Sequence, residues 1–342
     1  MNITFLASLL LTPRTAVPAI DEAERAQTIN ALSSALKEDY FFPDLAVKVD
    51  ATLHEKLKAG GYATYTEGAA FAKVLTDDVN AICHDAHLRI RYSESVLPVR
   101  VKRNEPTAQE IADAKKQARL VNCGFEKVER LPGNIGYIDF RFFGDPELAA
   151  GPIRAAMDFV SNTDALIFDI RQNGGGDPAT VRLLCSYLFD SKPVHLNDIY
   201  TNRGKNKEEF WTLKSVPGSR YLNKDIYVLT SPRSGSGAEE FAYDLQNLHR
   251  ATIIGESTWG GANPGEVERL NDHFSAFIPN GRAENPYTKK NWEGTGVQPD
   301  IRVKQEDALH QAHNIALQKL IEKATTSEDK ERLHRALESV KG

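Results

Sequence analysis

Between Tyr227 and Phe241 the sequence reads Tyr-Val-Leu-Thr-Ser-Pro-Arg-Ser-Gly-Ser-Gly-Ala-Glu-Glu-Phe: an apolar strand, a turn of small residues and the start of a helix. Ser236 stands at the break. A hydroxyl placed there projects from a sheet end beside the free N–H groups of a helix N-terminus, which stabilise developing negative charge. Those are the needs of an acyl-transfer nucleophile. A serine before a helix also serves as an N-cap. Both uses stay open at this point, and Ser234 is the reserve nucleophile.

A second glycine-rich turn follows another apolar strand, Leu166-Ile-Phe-Asp-Ile-Arg-Gln-Asn-Gly-Gly-Gly-Asp-Pro178. Three glycines at a strand end let backbone N–H groups approach a ligand closely. They could complete an oxyanion hole with the N–H of Gly237. Gly174, Gly176 and Ala179 also fit a G-x-G-x-x-A nucleotide pattern, but Asp177 puts a carboxylate where phosphate would bind and no Gly-Lys-Ser/Thr follows.

A nucleophilic serine needs a base, and no lysine lies between Lys224 and Lys289. Of the nine histidines, His54, His310, His313 and His334 sit in charged helical surroundings, whereas His84 and His87 stand apart. The run Cys83-His84-Asp85-Ala86-His87 mixes zinc-ligand types, but no matching ligand pair is evident elsewhere, so no metal is expected. An imidazole at a strand edge, reaching the sheet end from another part of the chain, fits a general base better.

The elements that must position these groups follow from periodicity. From Asp21 to about Asn80, Ile29, Leu32, Leu36 and Tyr40, and later Phe71, Val74, Leu75 and Val79, recur at helical steps, predicting a small helical domain. His87–Tyr92 alternates as a strand does, and a polar connecting helix follows over 107–120. From Asn134 strands and helices alternate: strands 135–140, 165–170, 226–230 and 251–254, and helices 146–160, 178–189 and 237–248. That order predicts an α/β fold with a largely parallel sheet covered by helices, and function at its strand ends. Terminal helices are expected after Ile301. The expected organisation is a targeting segment 1–20, a helical domain 21–86, a core 87–305 and terminal helices 306–342.

The 342 residues are 41% hydrophobic and 26% charged, with a net charge of −5. No basic face marks a nucleic-acid or anionic-lipid partner. Cys83, Cys123 and Cys185 are too scattered for a disulfide framework. The apolar run Phe5–Leu11, followed by Thr15-Ala16-Val17-Pro18-Ala19, reads as an export signal, which predicts a secreted or periplasmic protein with no membrane span after processing.

Taken together, Gly136-Tyr-Ile-Asp139, Asp169-Ile-Arg-Gln-Asn-Gly-Gly-Gly176, Ser236-Gly-Ala-Glu239, Gly255-Glu-Ser-Thr258 and Gly294-Thr-Gly-Val-Gln-Pro-Asp300 resemble the S41 serine peptidases in order and spacing. These are the tail-specific, or carboxy-terminal processing, proteases. Within them the chain is most similar to the branch of the interphotoreceptor retinoid-binding protein repeats, over residues 22 to 320. The resemblance implies a crotonase-like (ClpP-like) core of ββα units, an N-terminal helical domain and no PDZ domain. It assigns the nucleophile to Ser236 and the oxyanion N–H groups to Gly237 and Gly175. The processing branch draws a lysine from the turn that here reads Thr258-Trp-Gly-Gly-Ala262, so the Ser-Lys dyad is absent. A tricorn-like set is instead implied, with His87 as base and Glu293 orienting it. No cofactor is implied, and the substrate would be a peptide or protein. The same branch includes retinoid and fatty-acid carriers, so an apolar ligand in the same cleft is the competing expectation.

Overall fold

The computed structural model describes residues 19–99 and 107–341; the predicted export run lies outside them. Three helices come first, α1 (Glu22–Asp39), α2 (Pro43–Lys58) and α3 (Gly68–Cys83), then the short strand β1 (Arg89–Tyr92) and the helix α4 (Ala108–Leu120). The alternating region comprises β2 (Phe125–Leu131), β3 (Ile135–Phe140), α5 (Pro146–Val160), β4 (Ala165–Asp169) and α6 (Pro178–Ser186). Next come β5 (His195–Thr201), β6 (Asn206–Trp211), β7 (Asp225–Thr230), α7 (Gly237–Asn247) and β8 (Thr252–Gly255). The chain ends with β9 (Gly265–Arg269), β10 (Phe274–Pro279), β11 (Gly281–Glu284), β12 (Ile301–Arg302), α8 (Ala308–Lys323) and α9 (Ser327–Lys341).

The central sheet has the order β12-β8-β7-β4-β3-β2, parallel except for β2. Side chains alternate across it. Ile138, Phe168 and Val228 stand in register and pack with α5, α6 and α7, while Tyr137, Ile167 and Tyr227, one residue earlier on each strand, pack with α8 and α9. Burial on both faces is why these strands read as continuous apolar runs.

Two further sheets, β1-β10-β9 and β11-β5-β6, are antiparallel and were not expected. The first closes the core of the helical unit: Phe71, Leu75 and Val79 of α3 share one cluster with Leu270, Phe274, Ala276 and Ile278. Residues 89–92 therefore pair with a hairpin more than 180 positions later, at Arg89↔Phe277. That pairing brings the turn after α3 to the end of the central strands β4 and β7, where His87 lines a cavity with Gly176 and Ser236. β1 begins at Arg89, so His87 lies in the turn before it. The connector α4 has no buried residue and is held at its start by a Thr107–Glu110 capping box.

Candidate active site

β7 and β4 run side by side and end together, which brings their two turns into contact. Ser236 has φ 55° and ψ −121°, a conformation costing a non-glycine residue about 1–3 kcal/mol. Neighbours hold it there. The Glu239 carboxylate accepts from Ser236 N–H (2.8 Å), Thr258 Oγ1 (2.5 Å), Gly260 N–H (2.6 Å) and Gly261 N–H (2.9 Å), tying the turn to the loop after β8. Ser236 occupies the N-cap position of α7, where its N–H donates to the Glu239 carboxylate and its carbonyl accepts from Glu239 N–H (2.8 Å). The residue also lines the cleft. Ser234 differs: it is fully buried, donates to the Ile170 carbonyl (2.8 Å) and accepts from Ser231 N–H (3.0 Å), so it braces the turn.

The three glycines after β4 are not equivalent. Gly174 N–H goes to the Arg141 carbonyl (3.0 Å), and Gly175 N–H to Asn173 Oδ1 (2.9 Å). Gly175 was the expected second oxyanion donor, and its N–H is already committed. Gly176 is the available one. Its neighbours Gly175 and Asp177 bond Phe143 from either side, so its own N–H points the opposite way, and Gly237 packs against it: a Cβ on Gly237 would lie 3.0 Å from Gly176 N. Gly176 N–H and Gly237 N–H make no hydrogen bond among the described residues. Asp177 accepts from Ala179 N–H (2.8 Å) and caps α6, filling with its own carboxylate the place a phosphate would take.

His87 reaches this point from the other side. His84 ends α3 in the left-handed region (φ 50°), and Asp85 Oδ1 accepts from His87 N–H (3.1 Å). The imidazole stacks on Phe277 (centroids 5.3 Å apart) and meets Trp259 edge-on (4.8 Å). Burial, with a smaller effect from Arg89, pushes it down to about 4, so it is neutral at physiological pH. Its Nδ1 is buried and has no hydrogen-bond partner among the described residues.

Glu293 sits behind it. One carboxylate oxygen from each of Asp85 and Glu293 and one ring nitrogen of His87 lie within 4.8 Å of one another. Glu293 Oε1 accepts from Ala86 N–H (2.9 Å), and Oε2 from Ala262 N–H (2.6 Å) and Asn263 N–H (3.1 Å), clamping the segment before His87 to the loop beside Trp259. Burial, with the nearby Asp85 charge, pushes Glu293 up to about 7. Asp85 also accepts from Asn263 Nδ2 (3.0 Å) and Tyr40 (3.3 Å). Neither Cys83 nor His84 joins this group.

Ser236, Gly237, Gly176 and His87 line one cavity of about 450 Å³, with Glu240, Trp259 and Trp292 among the other walls. The structure thus brings the expected serine, histidine and first oxyanion glycine to a common space, with Glu293 next to the histidine. The sequence placed Gly176 among the three glycines of the turn without singling it out, and gave Glu239, Asp85 and Glu240 no catalytic role. For Glu240 a signal existed: it stands four residues after Ser236, on the same face of the helix.

A serine on a strained strand-to-helix turn at the end of a mostly parallel sheet, facing a histidine across a cavity, has the layout of a nucleophile-elbow hydrolase. The model of peptidase family S41 matches residues 134–303, and that of the N-terminal domain of Peptidase_S41 in eukaryotic IRBP matches residues 12–131. The chain belongs to peptidase family S41. Curated relatives include a carboxy-terminal-processing protease of Bartonella bacilliformis (27% identical, covering 52% of this chain and 40% of that protein). Another is the chloroplastic carboxyl-terminal-processing peptidase 2 of Arabidopsis thaliana (27% identical, 53% and 35%). This chain thus spans well under half the length of those two. A solved structure from Parabacteroides merdae superposes at a TM-score of 0.61 with 18% identity, covering 88% of this chain and 99% of the other, and shares the fold.

Proposed function

We propose that the protein is a serine peptidase that cleaves peptide bonds through an acyl-enzyme on Ser236. The observation that carries this is Ser236 itself, held on a strained turn at the N-terminus of α7 and lining the same cavity as His87. His87, neutral, takes the hydroxyl proton as Ser236 attacks the substrate carbonyl and returns it to the leaving amine. Water then releases the acid by the same route in reverse. The tetrahedral oxyanion is held by Gly237 N–H and Gly176 N–H at the positive end of α7. Glu293, with Asp85 beside it, steadies the imidazolium formed in between.

The substrate is a peptide segment entering between the β1-β10-β9 sheet and the central sheet. An export signal at Phe5–Leu11 would place this activity outside the cytoplasm. No helix among the described residues is long and apolar enough to cross a membrane. An apolar ligand in the same cavity would meet its apolar walls but would leave His87, Arg89, Arg91 and Glu240, which also line it, without a use.

The test is labelling with a fluorophosphonate, followed by mass spectrometry of the adduct. Modification of wild type at Ser236 and none in Ser236→Ala is expected; no modification of folded wild type overturns the reading.

A further inference from the structure

Glu240 is only 4% exposed, yet it lines the cavity beneath Ser236. Its place follows from helix geometry. Ser236 and Glu240 are joined by a backbone bond from Glu240 N–H to the Ser236 carbonyl (3.0 Å), one turn apart on one face. Side chains on a helix lean toward its N-terminus, so the carboxylate tilts back toward the serine. One more turn along, Asp244 is fully buried and both its carboxylate oxygens lack a hydrogen-bond partner among the described residues.

No lysine, arginine or histidine pairs with either acid among the described residues. Burial pushes Glu240 up to about 7, offset by Asn197 and reinforced by Asp177. Burial and the Glu240 charge push Asp244 well up too. Two buried carboxyls without a cation hold protons in place of charge, and a cation brought beside Glu240 would favour its ionised form. The walls above Glu240 are apolar: Ile199 and Ala283, paired across β5 and β11, with Trp292 and Pro178. A helix turn is about 5.4 Å, close to the reach of a lysine stem.

Resting on the peptidase reading above, we infer that this pocket receives a cationic side chain, lysine or arginine, on the acyl side of the scissile bond, with Glu240 as its counter-charge. The aliphatic stem lies against Ile199, Ala283 and Trp292 while the charged end meets the carboxylate, the division of labour such side chains favour. Arg89 and Arg91 also line the cavity, along the strand that follows His87, with Arg89 over the Trp259 ring (4.7 Å). Acid beneath the nucleophile and base along that strand give the cleft a direction.

The test compares two acylated aminocoumarin amides that differ only in lysine against norleucine at the acyl residue, on wild type and on Glu240→Gln. Wild type is expected to favour lysine in kcat/KM by on the order of tenfold or more, and Glu240→Gln to abolish that ratio. A ratio near one in wild type, or one unchanged by Glu240→Gln, overturns the inference; a ratio is insensitive to a general loss of folded enzyme. Calorimetric binding of the same pair to Ser236→Ala needs no turnover and separates the two readings. Fluorophosphonate labelling at Ser236 without lysine selectivity removes the pocket assignment alone. Lysine-selective binding by a chain that neither labels nor turns over removes the peptidase reading alone.

Discussion

The Glu239 carboxylate accepts the backbone N–H of Ser236 at 2.8 Å while its other oxygen accepts Thr258 Oγ1 at 2.5 Å. One fully buried side chain thus fastens the nucleophile turn to the loop that carries Trp259 beside His87. Both halves of the site depend on it. Glu239→Ala would leave the N–H groups of Gly260 and Gly261 buried and unpaired, a loss of about 3 kcal/mol. Urea unfolding reads that loss, and the labelling rate of the remaining folded protein should fall with it. An unchanged unfolding midpoint would show that the four bonds carry no net stability.

The triple glycine offers an internal comparison. A Cβ on Gly174 would meet nothing within 4 Å, so Gly174→Ala should stay within about 0.5 kcal/mol of wild type. A Cβ on Gly175, at φ +97°, would lie 2.6 Å from Ser236 Cβ and 2.7 Å from Gly237 N. Gly175→Ala should therefore cost about 2–3 kcal/mol and slow labelling at Ser236 about a hundredfold, because the displaced groups are the nucleophile and one oxyanion donor. Equal effects from both alanines, measured by thermal unfolding and labelling, would mean that the turns do not touch as described.

This contrast also shows where the sequence stops being legible. Strand, turn and helix around Ser236 could be read because β7 is a continuous apolar run and the turn is built of small residues. The sheets β1-β10-β9 and β11-β5-β6 could not. β6 is exposed at five of six positions and β9 has no fully buried residue, so neither carries a hydrophobic alternation; backbone pairing with the neighbouring strands β5 and β10 makes them strands. Choosing between Gly175 and Gly176 was equally out of reach, since it turns on where Asn173 Oδ1 and Phe143 lie in space. Glu240 drew no assignment because i, i+4 spacing says which residues share a face but not what that face meets.

The two serines of the turn should separate cleanly. Ser234→Ala removes the hydroxyl that bonds Ile170 and Ser231, costing about 1–3 kcal/mol, but leaves Ser236 to be labelled. Ser236→Gly removes the nucleophile and also relieves a backbone conformation that glycine adopts freely, so labelling disappears while stability holds or rises by up to about 1 kcal/mol. Residual labelling in Ser236→Gly at Ser234 would reverse the assignment of roles, and mass spectrometry of the adduct distinguishes the two positions.

The acid behind His87 sets the pH response. His87 is neutral above about 4, whereas Glu293 ionises only as pH rises through about 7. Its negative charge is what stabilises the imidazolium as Ser236 gives up its proton, so labelling should climb through pH 7 and Glu293→Gln should flatten that limb. Stability moves the other way for this residue. Its carboxyl is held above the ordinary value of 4.5, so the folded state binds the proton more tightly, and the resulting stabilisation is complete below pH 4.5 and lost as pH rises through about 7. Urea midpoints for wild type minus those for Glu293→Gln should accordingly fall across that window. A difference that stays flat, together with a labelling limb near pH 7 that survives the substitution, would assign that limb to another group and leave Glu293 with only its clamp on Ala86, Ala262 and Asn263.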